Sequence, residues 1–394
     1  MIPYGRQHIN AEDVQAVIST LNSDFLTQGP AVPAFEDALA RYCGAPHAVA
    51  VNSATSALHI ACMALDVGPG DLVWTCAISF AASANCARYC GADVDFIDID
   101  PETLNICPLA LAEKLARAKA AGRLPKVVIP IDLCGRSAPM HEIKKLADHY
   151  GFKTIEDASH GIGGSYQHQK IGGHGLADIT VFSFHPVKII TTAEGGMAVT
   201  FDAEVARRLR DLRSHGITRD QARYERNDQG AWYYEQHVLG LNYRMTDLHA
   251  ALGLSQLKRI DHFVAERHTV RAFYQTALRD LEARGDIKLP PADEPGCESA
   301  LHLYPIQIQA SASRNRRQVF DSLRQQGIGV NVHYLPIYRH PYYLKLGFEQ
   351  GYCPNAENYY ECAISMPMYA DLDTEKLNGV VSALKFALHS AAPG

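Results

Sequence analysis

A chain of 394 residues, 47% hydrophobic and 20% charged, has the length for roughly two to three domain equivalents and an ordinary globular composition, which excludes a mini-protein, a disordered chain and a collagen-like repeat. The formal net charge is −6, and the one compact basic cluster, Arg314-Asn315-Arg316-Arg317, is far from the broad positive face of a nucleic-acid binder. The first residues lack the apolar stretch of a secretion signal, and no run of about 18 apolar residues occurs. A soluble, cytoplasmic protein is expected, with no nucleic-acid or membrane partner. The ten cysteines are scattered, and the closest pair, Cys86 and Cys90, has no second pair to complete a zinc site. Reduced thiols and no metal are therefore expected.

Short β-branched runs at 48–51, 72–75, 94–97, 127–131, 153–155, 179–182 and 197–200 read as strands. Segments near 55–66, 80–89, 108–120 and 139–150 carry apolar residues at helical spacing. Strands separated by 10 to 15 helical residues predict an α/β chain with a mainly parallel sheet covered on both faces. Ligands in such sheets gather at the carboxyl ends of the strands. Residues 215–241 have no clear period, and a connection of that length is usually functional. A long helical stretch follows over 246–283. Beyond Pro290-Pro291 the pattern predicts a smaller α+β unit: a strand over 301–308, a helix opened by Ser313, a strand over 329–333, and helices near 355–363 and 374–388. The division expected is a large domain over 1–245 and a linking helix with a small domain over 246–394.

Three strand ends carry candidate chemistry. The first strand runs into Asn52-Ser53-Ala54-Thr55-Ser56-Ala57-Leu58, where free helical amides and hydroxyls form a cup for phosphate, or else ordinary helix caps. The fifth ends in Glu156-Asp157-Ala158-Ser159-His160. A carboxylate there can pair with a protonated ring nitrogen, although it could equally cap a helix. The sixth leads through Ser183 to Lys188 in an apolar, small-residue setting that favours a lowered lysine pKa and Schiff-base chemistry. The G-x-G-x-x-G of a dinucleotide-binding dehydrogenase is absent after the first strand.

These segments, with Leu26-Thr27-Gln28-Gly29-Pro30, Phe35-Glu36, Ser79-Phe80, Glu194-Gly195-Gly196 and Leu241-Asn242-Tyr243-Arg244-Met245, carry a resemblance over essentially the whole chain. The sequence resembles the DegT/DnrJ/EryC1/StrS family of sugar-nucleotide aminotransferases, pyridoxal 5'-phosphate enzymes of fold type I with a mainly parallel seven-stranded sheet. Within it, residues 2–7, 182–188, 353–357 and Tyr359-Tyr360 look most like members that aminate a UDP-linked 4-keto-2-acetamido-2,6-dideoxy sugar for pseudaminic acid, with glutamate as donor.

The resemblance implies that Lys188 bonds the cofactor and shuttles the proton, and that Asp157 pairs with the pyridine nitrogen. His160 would sit beside the phenolic oxygen, Phe80 would stack on the ring, and Thr55, Ser56 and Ser183 would hold the phosphate. Asn242 would reach the cofactor phosphate of the neighbouring protomer, which implies a homodimer with shared sites and makes 215–241 a crossing element. Tyr4, Arg244, His333 and Tyr334 match positions near the nucleotide sugar. Two departures stand out: Ile189-Ile190, and Ala193 before Glu194, where a proline and a glycine are expected. The alternatives are an aminotransferase for another keto sugar nucleotide (dTDP- or GDP-linked, C3 or C4) and a sugar-nucleotide-binding homologue without turnover. Members that remove a hydroxyl typically carry His at the lysine position, and this chain keeps Lys188.

Overall fold

The structure, a computed structural model, describes residues 1–226, 229–309 and 315–389. In chain order the strands of the first unit are β1 (His47–Val51), β2 (Leu72–Cys76), β3 (Asp93–Ile97), β4 (Val127–Ile129), β5 (Lys153–Asp157), the small hairpin β6 (Ser165–Tyr166) and β7 (Gln169–Lys170), then β8 (Ile179–Ser183) and β9 (Gly196–Thr200). Seven of them form one sheet in the order β1-β9-β8-β5-β4-β2-β3. Only β9 runs antiparallel to its neighbours, so the sheet is mainly parallel, as anticipated. Every residue of β8 and β9 is buried, which requires cover on both faces. Helices Ala54–Ala64, Ala82–Tyr89, Pro108–Ala120 and Met140–Tyr150 lie within two residues of the helical periodicity at each end and connect successive strands. Strand β4 stops at Ile129, and Ile131 keeps only an isolated bridge to Asp157.

Other elements differ from the sequence pattern. Helices Ala11–Leu21, Ala31–Cys43 and Ala203–Arg213 were not resolved by periodicity. The stretch 246–283 is three helices, Asp247–Leu257, Ile260–Ala277 and Arg279–Ala283. The first break falls at Arg259, whose non-helical backbone (φ −113°, ψ 6°) carries its guanidinium to Asp13 and His8. The described residues of 215–241 include the short ribbon of β10 (Ile217–Thr218) with β11 (Glu235–Gln236) and one turn of 3-10 helix at Gln221–Arg223.

The smaller sheet is antiparallel, with β13 (Tyr304–Ile308) between β12 (Ile287–Lys288) and β14 (Ala363–Met366). The strand expected over 329–333 does not form. Ile328 and Asn331 make one bridge each, to Ile2 and Ser365, because the N-terminal segment occupies the space alongside: a Cβ on Gly329 would lie 2.8 Å from the Ile2 carbonyl oxygen. Ser313 lies outside the described residues. The helix there is described from Arg316 to Gln325, opened by a capping box between Asn315 and Gln318. Ile2 packs on the C-terminal core around Tyr274, Val380 and Leu384, and the Met368 amide donates to the Tyr4 carbonyl. The first residues are thereby carried across to the site. No helix among the described residues is long and apolar enough to cross a membrane.

Candidate active site

The carboxyl ends of β1, β2, β5 and β8 face a cavity of about 610 Å³, closed on the far side by His302 and the loop from Asn331 to Leu335. Helix Ala54–Ala64 starts directly from β1. Ser53 caps it by accepting from the Ser56 amide at 3.1 Å. Among the described residues, the amides of Ala54 and Thr55 and the Thr55 hydroxyl have no acceptor, and both residues line the cavity. This is an open anion site at a helix N-terminus. Gly196 backs it: a Cβ there would come within 2.5 Å of the Ala54 nitrogen. Ser56 lies behind Thr55 and outside the lining, its hydroxyl donating to Asn52 at 2.6 Å.

Asp157 ends β5, with both carboxylate oxygens held. Oδ1 accepts from the Ser159 amide (3.1 Å) and hydroxyl (2.5 Å), and Oδ2 accepts from the Ser83 hydroxyl at 2.7 Å. Ser79 lies 2.8 Å from Ser83, and since Ser83 donates to Asp157, Ser79 donates to Ser83. Asp132, fully buried nearby, is pushed well above the usual carboxylate range by burial and then by Glu156 and Asp157.

Lys188 follows β8 in a turn closed by its amide on the His185 carbonyl. Burial lowers its ammonium to about 8, against the opposing pull of Asp157. A sizeable neutral fraction at neutral pH makes it a nucleophile. Ser183, at the end of β8, also lines the cavity. Phe80 stands at the rim, 63% exposed.

His160 accepts from the Cys134 amide on Nδ1 at 3.3 Å, so its proton is on Nε2 and donates to the Tyr334 hydroxyl at 3.2 Å. Both ring nitrogens are engaged within the chain. Burial, then Lys188 and His333, hold it well below the usual histidine range. His333 is lowered to about 4 by burial and by Lys188. Asn331 donates to its Nε2 at 3.4 Å, which leaves Nδ1 to donate to Ser365 at 2.8 Å. Tyr4, His333 and Tyr334 all line the cavity.

Asn242 and Arg244 do not line the cavity of their own chain. Asn242 is exposed and bridges Ser214, and the Arg244 guanidinium donates to the Ser214 hydroxyl at 3.1 Å. Sequence reasoning missed Ser79 as a hydroxyl donor, Ser83, Ser159, Asn331 and His302. Ser159, two residues after Asp157, had a local signal in the Asx-type turn; the others had none. Among the described residues no group of His, Cys, Asp or Glu is arranged to hold a metal, and no cysteine is in a disulfide.

The model of the DegT/DnrJ/EryC1/StrS aminotransferase family matches residues 7–385. The UDP-4-amino-4,6-dideoxy-N-acetyl-beta-L-altrosamine transaminase of Campylobacter jejuni is 37% identical over 394 residues, covering 100% of this chain and 99% of that one. Among solved structures, Helicobacter pylori PseC, an aminotransferase involved in the biosynthesis of pseudoaminic acid, superposes with a TM-score of 0.89 at 31% identity, covering 99% of this chain and 100% of that one. The PLP-form of the putative sugar aminotransferase Spr1654 from Streptococcus pneumoniae gives 0.87 at 28% identity, covering 98% of each chain.

Proposed function

The chain belongs to the DegT/DnrJ/EryC1/StrS aminotransferase family, and on that premise we propose that it uses pyridoxal 5'-phosphate to move the amino group of L-glutamate onto a nucleotide-linked 4-keto-6-deoxy sugar. The substrate favoured is a UDP-4-keto-2-acetamido-2,6-dideoxy-L-hexose of a pseudaminic-acid-type pathway. The observation that carries this reading is the convergence of a lysine lowered to about 8, a carboxylate clamped by serines and a helix N-terminus with the Ala54 and Thr55 amides free in one cavity. The whole-length likeness to the Campylobacter transaminase and to Helicobacter PseC supports the sugar class. The PLP-form of the Streptococcus neighbour supports the cofactor.

The residues present fit that cofactor. The free amides of Ala54 and Thr55, with the Thr55 and Ser183 hydroxyls, suit the phosphate; Asp157 suits the pyridine nitrogen; Lys188 suits the aldehyde; and Phe80 offers an apolar face. When bound, pyridoxal phosphate supplies an electron sink for the carbon that bears the amine. The chain supplies the rest. Asp157 keeps a proton on the ring nitrogen, and Ser83 and Ser159 keep its carboxylate oriented. The Lys188 amine, partly neutral at working pH, takes and returns the proton at the reacting carbon. Tyr4, His333 and Tyr334, which line the cavity, are assigned to the nucleotide sugar. In this reading the site is completed in a homodimer by Asn242 and Arg244 of a second copy, since neither reaches its own cavity.

The test is a panel of UDP-, dTDP- and GDP-linked keto sugars assayed with L-glutamate, with product configuration read by NMR. Preference for a UDP-linked 4-keto-2-acetamido sugar supports the reading; preference for a dTDP- or GDP-linked sugar, or amination at C3, overturns its sugar assignment.

A further inference from the structure

The lining groups that can carry a positive charge are Lys188 and the histidines His160, His185, His302, His333 and His340; no arginine of the chain is among them. His160 and His333 have their ring nitrogens engaged by other residues. His302 does not. It is 4% exposed, its ring centroid lies 4.3 Å from that of His160, and its Nδ1 is sealed from solvent with no partner. A buried ring nitrogen is left unpaired at less cost as a lone pair than as an N–H, so the proton belongs on Nε2, the nitrogen open to the cavity. Of the cavity histidines without a ring hydrogen bond, His185 and His340 are more exposed, and His302, near enough to Lys188 to feel its charge, is the buried one, an uncommitted N–H donor facing the lysine.

We propose that His302 Nε2–H binds the α-carboxylate of the amino donor and thereby sets the enzyme's donor requirement. This rests on the aminotransferase reading above. Both substrates must bring their reacting carbon to Lys188. An amino-acid donor carries a carboxylate on that very carbon, whereas a 4-keto hexose carries its diphosphate on C1, across the ring. Only the donor therefore places an anion beside Lys188, within reach of His302. A neutral imidazole also suits a site that two unlike substrates occupy in turn. A buried guanidinium would be left without its counter-ion each time the hexose entered, at a much greater penalty than an unpaired imidazole N–H.

The experiment separates the half-reactions of the cofactor-loaded enzyme in single turnover, with L-glutamate in one direction and the nucleotide amino sugar in the other. His302→Leu, of similar volume, removes the N–H, and His302→Gln keeps one; His302→Ala replaces the leucine variant if that does not fold. Cofactor Kd, by fluorescence titration, is expected to stay within about threefold of wild type in each. His302→Leu is expected to lose about 10- to 100-fold in kcat/KM for L-glutamate, the scale of one hydrogen bond to a charged group. The amino-sugar half-reaction should change less than about threefold, and His302→Gln should recover part of the donor loss. Equal losses in both half-reactions reduce His302 to packing and overturn the proposal. Wild-type donor kinetics in His302→Leu, with the loss appearing instead in Arg244→Ala, also overturn it. Failure of the reading beneath it would show differently: wild type itself would have no donor half-reaction.

Discussion

Ser83 Oγ donates a 2.7 Å hydrogen bond to Asp157 Oδ2, joining the helix after β2 to the end of β5 across the intervening β4. With Ser159 on the other oxygen, the carboxylate cannot swing away from the cavity.

Asp157→Asn is therefore expected to fold normally but lose about 100-fold or more in kcat, the scale of removing a fixed electrostatic partner of the reacting group. Ser83→Ala leaves the Ser159 contacts in place and should lose about tenfold. Steady-state kinetics check both. Wild-type turnover in Asp157→Asn would return that residue to a capping role.

Lys188→Ala should abolish transamination, and Lys188→Arg should bind cofactor without a covalent link. Borohydride should fix cofactor to Lys188 of the wild type alone, as read by peptide mass spectrometry; label on another lysine would defeat the assignment.

The lowered Lys188 also predicts a pH-dependent stability. Its folded value is about 8 against 10.5 unfolded. Between these pH values the unfolded chain binds one proton more than the folded one, so stability rises with pH across that window, and below about 8 the penalty of burying the ammonium is fully present. In cofactor-free protein, Lys188→Met should have a higher Tm than wild type at pH 7, with the gap narrowing as pH rises from about 8 towards 10.5. A gap independent of pH would show that the amine is not buried as a cation.

Asn242 and Arg244 stand outside their own cavity, which predicts a shared site. Mixing inactive Lys188→Ala protomers with inactive Asn242→Ala protomers should restore activity towards half of wild type per heterodimer, because one of its sites collects both defects and the other collects neither. No recovery, or a fully active monomer in sedimentation, would dispose of the shared site.

Ala193 stands where the family resemblance leads one to expect glycine, and its φ of 67° lies in the left-handed region. Relieving it removes about 1–2 kcal/mol of steric penalty, against roughly 0.5–1 kcal/mol of extra chain entropy. Ala193→Gly should leave kinetics unchanged and raise stability by between about 0 and 1.5 kcal/mol, as checked by urea unfolding. A clear loss of stability would mean that the alanine methyl makes a contact worth more than the strain.

Alternation of β-branched runs with helical segments was enough to read the parallel sheet, and the residues after β1, β5 and β8 already marked Thr55, Asp157 and Lys188. These features are local: a strand end, a cap and a turn lie within a few residues of one another, and buried parallel strands leave a continuous apolar signature. The break of 246–283 at Arg259 and the loss of the strand at 329–333 depended on partners more than two hundred residues away, Asp13 in one case and Ile2 in the other. No window of sequence contains such contacts. The same holds for the site. Ser83 and His302 carry no local pattern, and their places beside Asp157 and His160 exist only after distant segments pack. Spacing along the chain sets hydrogen-bond periodicity within an element, while the free donors and clamped carboxylates of a cavity are set by which elements burial brings together.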